Sequence, residues 1–335
     1  MNKPLLVVAP SPHIHADLTI PQIMRGVVIA MLPAWIMSIY NFGLGAVYVT
    51  LLAVGFCVAA EYAITRYLLN REASIQDGSA VITGMLLAFN VPSNLPWYMI
   101  LIGSVVAIGI AKLSFGGLGN NPFNPALVGR VFLLLSFPVA MTSWPKAVAT
   151  WTLDGTTSAT PLGILKDGLR TGETVDTLMK QMPSLQDLFF GLHGGSLGEM
   201  SGAALLVGLG YMLYRKIITW HIPITMIATV FIMTGIFWLI HPYKFANPMF
   251  HILSGGLMLG AIFMATDYVT SPVSHRGMIV FAIGCGVLTV LIRLFGSYPE
   301  GVSFAILIMN GFVPLINNYL KPRKFGVIQK QETSN

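Results

Sequence analysis

Long apolar runs, separated by short polar or Gly/Pro-rich turns, recur along almost the whole chain. Ten of them are candidates for the roughly 20 apolar residues that a helix needs to cross a bilayer. They cover residues 20–42, 45–69, 78–91, 97–113, 125–141, 201–214, 222–240, 249–266, 278–295 and 302–320. Two of the runs, 78–91 and 249–266, are short or interrupted by Gly and Pro. One connection, 142–200, is long and polar. The pattern predicts an all-α polytopic membrane protein: a first five-helix unit over 20–141, a long external loop over 142–200, and a second five-helix unit over 201–320. Residues 1–19 read as an amphipathic arm and 321–335 as a tail.

Composition agrees with that pattern. Of 335 residues, 55% are hydrophobic and 10% charged, against about 25% charged in a soluble domain. Only Cys57 and Cys285 are present, both inside apolar runs. That excludes a disulfide-stapled secreted fold, and an iron–sulfur or zinc site built by this chain alone. The first residues lack the charged start, apolar core and small-residue cleavage site of a signal peptide. The net charge of +6 sits at segment ends, so no nucleic-acid partner is expected.

The basic residues also orient the chain. With the N-terminus in the cytoplasm, Lys3, Arg25, Arg66, Arg71, Arg215, Lys216, Arg276, Lys321, Arg323, Lys324 and Lys330 all fall on the cytoplasmic side. The short loops of the other face keep Lys244. An even number of spans returns the C-terminus to the cytoplasm. The 142–200 loop then lies outside, with six of the 13 acidic residues: Asp154, Asp167, Glu173, Asp176, Asp187 and Glu199.

The two halves resemble each other. Ser79–Gly84 opens a short segment in the first, and Ser254–Gly260 opens one in the second. Each is followed by a span with a basic residue near its end, Lys112 or Arg293, and then by a Gly-rich turn. Five spans per half is an odd number, so the repeats are expected to be inverted, with a site near their interface. Glu61, Lys112, Arg130, Asp267 and Arg293 lie in or beside apolar spans, where charge is costly. Lys112 and Arg66 are expected to snorkel to the interface. Glu61 and Asp267 are the candidates for an ion path. Asn120, Asn121 and Asn124 stand between glycines and prolines and mark irregular backbone that packs or binds a ligand. His221 and His251 read as interface or capping residues. His13 and His15 have no evident third ligand, so no metal is expected. The two cysteines and the 18 methionines read as packing.

The external loop carries Asp154-Gly155-Thr156-Thr157-Ser158-Ala159-Thr160-Pro161, a cluster of small hydroxyl residues. Its plain reading is a polar loop, although a hydroxyl between alanine and a stiffening proline is a good phosphoryl acceptor. The stretch resembles the flavinylation motif of ion-pumping respiratory complexes, in which a transferase joins FMN through its phosphate to a Thr hydroxyl. On that likeness Thr160 is the acceptor, Asp154 the preceding acid, and Ser158-Ala159 the small pair, with Ser158 where Gly is frequent.

Other stretches carry the same likeness along nearly the whole chain. They include Ser11-Pro12-His13, the run from Phe115 to Ala126, Trp220-His221-Ile222-Pro223, Leu253-Ser254-Gly255-Gly256, Thr266-Asp267 and Tyr298-Pro299-Glu300-Gly301. The chain resembles RnfD, the D component of the Rnf electron-transport complex, which is also called Rsx. The resemblance implies an enzyme subunit, inactive alone, in a complex that moves electrons between ferredoxin and NAD and couples this to Na+ or H+ transport. It implies covalent FMN on Thr160, the A, B, C, E and G components of the Rnf complex as partners, and a flavin transferase for maturation. It implies the bacterial inner membrane, with the flavin loop on the periplasmic side. Whether a second, non-covalent flavin sits in the membrane core stays open. Two other readings are weighed. One is NqrB, the homologous component of the Na+-translocating quinone reductase, which carries a longer N-terminal extension. The other is a channel or transporter with the same inverted repeat.

Overall fold

The computed structural model describes residues 19–71, 75–145, 157–191 and 193–321, with the backbone alone for Thr157 and Ser158. Asp154, His13, His15 and the tail residues Arg323, Lys324 and Lys330 lie outside the described residues.

In the first half the chain forms α1 (Ile20–Phe42), α2 (Leu44–Ala63), α3 (Ser79–Phe89), α4 (Trp97–Val105), α5 (Pro125–Ser136) and the short α6 (Pro138–Thr142). Three small helices follow: α7 (Pro161–Arg170), α8 (Val175–Gln181) and α9 (Leu185–Phe190). The second half forms α10 (Gly202–Tyr214), α11 (His221–Ile240), α12 (Pro248–Leu253), α13 (Leu257–Leu259), α14 (His275–Phe295) and α15 (Val302–Tyr319). π-Helical turns extend α2 (Ile64–Leu68), α4 (Val106–Ile110) and α13 (Gly260–Met264). Among the described residues, six helical stretches are long and apolar enough to cross a membrane. They are Ile20–Phe42, Leu44–Leu68, Trp97–Phe115, His221–Ile240, His275–Phe295 and Val302–Tyr319. The protein is a mostly helical, multi-pass membrane protein. Shorter apolar helices occupy three of the remaining predicted runs, Ser79–Phe89, Pro125–Ser136 and Gly202–Tyr214.

Local sequence explains where several helices begin. Pro125, Pro161 and Pro248 each open a helix, where a missing N–H costs nothing. The residue before each, Asn124, Thr160 or Asn247, accepts hydrogen bonds from first-turn amides. Close packing is set by small residues. A Cβ at Gly84 would lie 2.6 Å from the Cα of Val54, so α3 can lie against α2 only without a side chain there. α1 packs on α10, α2 on α3 and α4, α11 on α12 and α14, and α14 on α15. One apolar core runs through both halves, from Ala30 and Met31 of α1 through Phe89 of α3 to Phe281 and Cys285 of α14.

The 249–266 run carries the interruption that its glycines predict, and the 142–200 connection departs from the sequence reading. The 249–266 run is a broken element: α12 ends at Leu253, and a Ser254-Gly255-Gly256 turn precedes α13. Gly255 has φ 68°, and a Cβ there would meet Leu162, Arg293 and Glu300. The 142–200 connection is also more ordered than a polar loop. Leu162, Leu165, Val175, Leu178 and Leu188 from its three helices bury together against Ala246 and Phe250. The spacing of Leu162, Leu165 and Leu169 is that of an amphipathic helix, set within a segment whose average composition is polar.

Candidate functional site

Thr160 is the N-cap of α7. Its backbone is extended, and its Oγ1 accepts from the Gly163 N–H at 3.1 Å. The hydroxyl thus sits at the positive end of a ten-residue helix, where an attached anion is favoured. Ala159 is exposed and Thr160 is buried. Just ahead, Thr157 and Ser158 pair antiparallel with Pro145 and Trp144, which ties this segment to the end of α6. The structure brings Ser158, Ala159 and Thr160 together by chain continuity alone, and Asp154 lies outside the described residues.

Thr160 lines a narrow cavity of about 40 Å3 whose other walls come from α5, α6 and the turn before α15. Three aromatic side chains border it, Trp144, Tyr298 and Phe304, the last two stacked at 5.1 Å. Arg130 of α5 enters the same cavity, donating to Glu300 Oε2 and to the Ser303 hydroxyl. Arg130, expected as a costly charge in an apolar span, is therefore buried and paired. These residues fit the phosphate end of a flavin ester. They supply a hydroxyl for attachment, a helix N-terminus and an arginine for the negative charge, and flat apolar walls.

Further buried charge stands close by. Arg293 donates to the carbonyls of His251 and Ser254, the latter at 3.1 Å. Glu199, in the 142–200 connection, accepts from the Ser196 N–H at 2.9 Å through Oε1, and its Oε2 has no partner. Burial, reinforced by Glu300, pushes the Glu199 carboxyl up to about 8. Glu199 and Glu300 were not singled out from the sequence. Glu300 stands in the Tyr-Pro-Glu-Gly turn, where a carboxylate among turn residues gives no sign of burial.

On the other side of the molecule Lys112 donates to Glu61 at 2.7 Å and to the Ser79 hydroxyl at 2.6 Å. The expectation that Lys112 snorkels is incorrect. It is buried against Glu61 because α4 ends inside the bundle, with α2 and the start of α3 around it. Arg66 is exposed. Lys112, Ser79, Asn121, Asn124 and Asp267 line a second cavity of about 90 Å3 between the two halves. Asn124 caps α5 and also donates to the Met264 carbonyl at 3.2 Å, so the irregular asparagine segment joins the halves. Asp267 accepts from the Thr270 hydroxyl at 3.1 Å. His221 stacks between Trp220 and His275 at the start of α11. His251 is buried, not interfacial, and both of its ring nitrogens lack partners. Cys57 and Cys285 are buried and unpaired with each other.

The profile of the NQR2, RnfD, RnfE family matches residues 7–326. The chain belongs to this family. The D component of a Na(+)-translocating ferredoxin:NAD(+) oxidoreductase complex from Acetobacterium woodii is 48% identical over 330 residues, covering 98% of this chain and 97% of that protein. The D component of a proton-translocating ferredoxin:NAD(+) oxidoreductase complex from Clostridium ljungdahlii is 44% identical over 327 residues, 97% of this chain and 98% of that protein. The D component of an ion-translocating oxidoreductase complex from Salmonella newport is 40% identical over 349 residues, 95% of this chain and 98% of that protein.

Proposed function

We propose that this chain is RnfD, a membrane component of a Rnf-type complex that couples electron transfer between ferredoxin and NAD to Na+ or H+ translocation. In this reading it carries FMN bonded through phosphate to Thr160 and relays electrons without binding NAD itself. The observation that carries it is the position of Thr160: a hydroxyl at a helix N-terminus, on a cavity that also holds Arg130 and three aromatic rings.

The bound flavin would supply the redox chemistry, and the protein supplies position and electrostatics. Thr160 provides the oxygen that joins phosphorus. The α7 amides and Arg130 oppose the phosphate charge, and Glu300 holds Arg130 in place. Trp144, Tyr298 and Phe304 keep water from that side of the cavity.

The finer architecture belongs to the same proposal. Ten elements cross or enter the membrane as two inverted repeats, with both termini in the cytoplasm and 142–200 on the periplasmic side of a bacterial inner membrane. Paired contacts support the repeat. The cation at the end of the fourth element reaches the serine that opens the short third element: Lys112 to Ser79 in one half, Arg293 to Ser254 in the other. The A, B, C, E and G components would complete the complex, and a flavin transferase would load Thr160.

A denaturing gel viewed under ultraviolet light tests the reading. Protein co-expressed with a flavin transferase should give a fluorescent band at the mass of this chain, and a dark band refutes it.

A further inference from the structure

A third cavity, of about 450 Å3, lies between α7, the α11–α12 connection and the C-terminal end of α14. Its most deeply buried polar lining residues are His251 and Arg293, 2% and 6% exposed. Neither ring nitrogen of His251 has a hydrogen-bond partner, and Arg293 Nε has none. Buried polar atoms without partners are rare and mark a place where something polar belongs. Three more cations line the same space: Lys166, Arg170 and Lys244. Lys166 donates to the Tyr298 carbonyl at 2.6 Å and the Arg293 carbonyl at 3.3 Å. Burial, with Arg170 beside it, holds the Lys166 amine below its ordinary value. Four cations therefore face Glu173, the one carboxylate among the described lining residues. The two ion pairs of the described residues use none of these four.

Lys and Arg only donate hydrogen bonds, and a neutral imidazole adds one N–H, so the cavity calls for an anion rich in acceptor oxygens. Its mouth also specifies a neighbour for that anion. Phe295 lines the cavity and is exposed, and Leu239 and Ile240 at the end of α11 are exposed as well. Lys244 lies over the Phe245 ring at 5.9 Å. An apolar flank next to a basic pocket at the end of two membrane-crossing helices matches a lipid with a charged head, not a free ion.

We propose that this cavity binds the phosphate headgroup of an anionic phospholipid, with its acyl chains along the exposed apolar side of α11 and α14. His251 and Arg293 meet the phosphate from the buried end, and Arg170 and Lys244 hold it at the mouth.

Native mass spectrometry of the detergent-extracted protein with its co-purifying partners tests this, using phosphatidylglycerol and phosphatidylcholine as probes. Arg170 and Lys244 are exposed, so Arg170→Ala with Lys244→Ala leaves the fold intact. Wild type should retain one phosphatidylglycerol per chain in preference to phosphatidylcholine. The double variant should lose that retention by roughly 30-fold, at about fivefold per basic residue. Equal retention of the two lipids, or equal retention by wild type and variant, overturns the proposal. So does displacement of the lipid by millimolar inorganic phosphate, which would assign the cavity to a free anion, or a flavin mass in place of the lipid.

Discussion

Lys112 and Glu61 form an ion pair at 2.7 Å with only 2% and 4% of their side chains exposed. The ammonium has a second partner in Ser79, so three elements of the first half, α2, α3 and the end of α4, meet at one buried charge. Taking both charges out of water is costly, and the pair is held by its mutual attraction and by the hydroxyl.

Removing one partner strands the other. Lys112→Ala should destabilise the protein by about 3–5 kcal/mol. Replacing both, with Lys112→Met and Glu61→Leu, should recover much of that loss because no uncompensated charge remains. Thermal unfolding midpoints in one detergent check this. A double variant no more stable than the single one would contradict the pairing.

The α2–α3 contact depends on the bare backbone of Gly84. Gly84→Val forces side-chain atoms into the Val54 backbone, an overpacking that costs typically about 1–3 kcal/mol. The same substitution at Gly210, where a Cβ meets nothing within 4 Å, adds no such clash. Yield of monodisperse protein should fall for the first and much less for the second.

Glu199 gives the protein a pH dependence. Its folded carboxyl is raised, chiefly by burial and then by Glu300. Between the ordinary carboxylate value near 4.5 and about 8, the folded state holds a proton that the unfolded state has lost. Stability therefore falls as pH rises through that window and levels off above it. Glu199→Gln keeps the shape and removes the titration, so its stability relative to wild type should rise from pH 5 to pH 8.5. Melting curves across that range check it. Parallel profiles for the two proteins would show that Glu199 does not titrate there.

Much of this architecture was legible in the hydropathy pattern. Runs near the full length of a span, such as 20–42 and 302–320, became single helices, because a lipid-crossing backbone must satisfy its own hydrogen bonds. Thr160 stood out in the sequence through its likeness to the flavinylation motif, and its place as the cap of a helix did not, because the segment after it reads as a polar loop. The partners around it were not. Arg130 and Glu300 are 170 residues apart and meet only through packing of α5 beside the start of α15. Lys112 looked like a snorkelling end residue because nothing local shows that α4 stops inside the bundle. The helices of the 142–200 connection were masked by acidic and hydroxyl residues on their outer faces.

Orientation is tested by reporter fusions at Lys166 and Arg323. The Lys/Arg asymmetry puts them on opposite faces of the membrane, so the reporters should give opposite signals. Matching signals would overturn the topology.

The central claim is tested most directly by a mass spectrum of the peptide that contains Thr160, from protein co-expressed with a flavin transferase. Wild type should carry the mass of FMN on Thr160. Thr160→Ala should carry none, and as the loss of a helix N-cap it should cost about 1 kcal/mol while leaving the protein assembled. Thr160→Ser keeps the cap and a hydroxyl. An FMN mass that persists on this peptide in Thr160→Ala would contradict the attachment site, and a wild-type peptide without it would contradict the redox role itself.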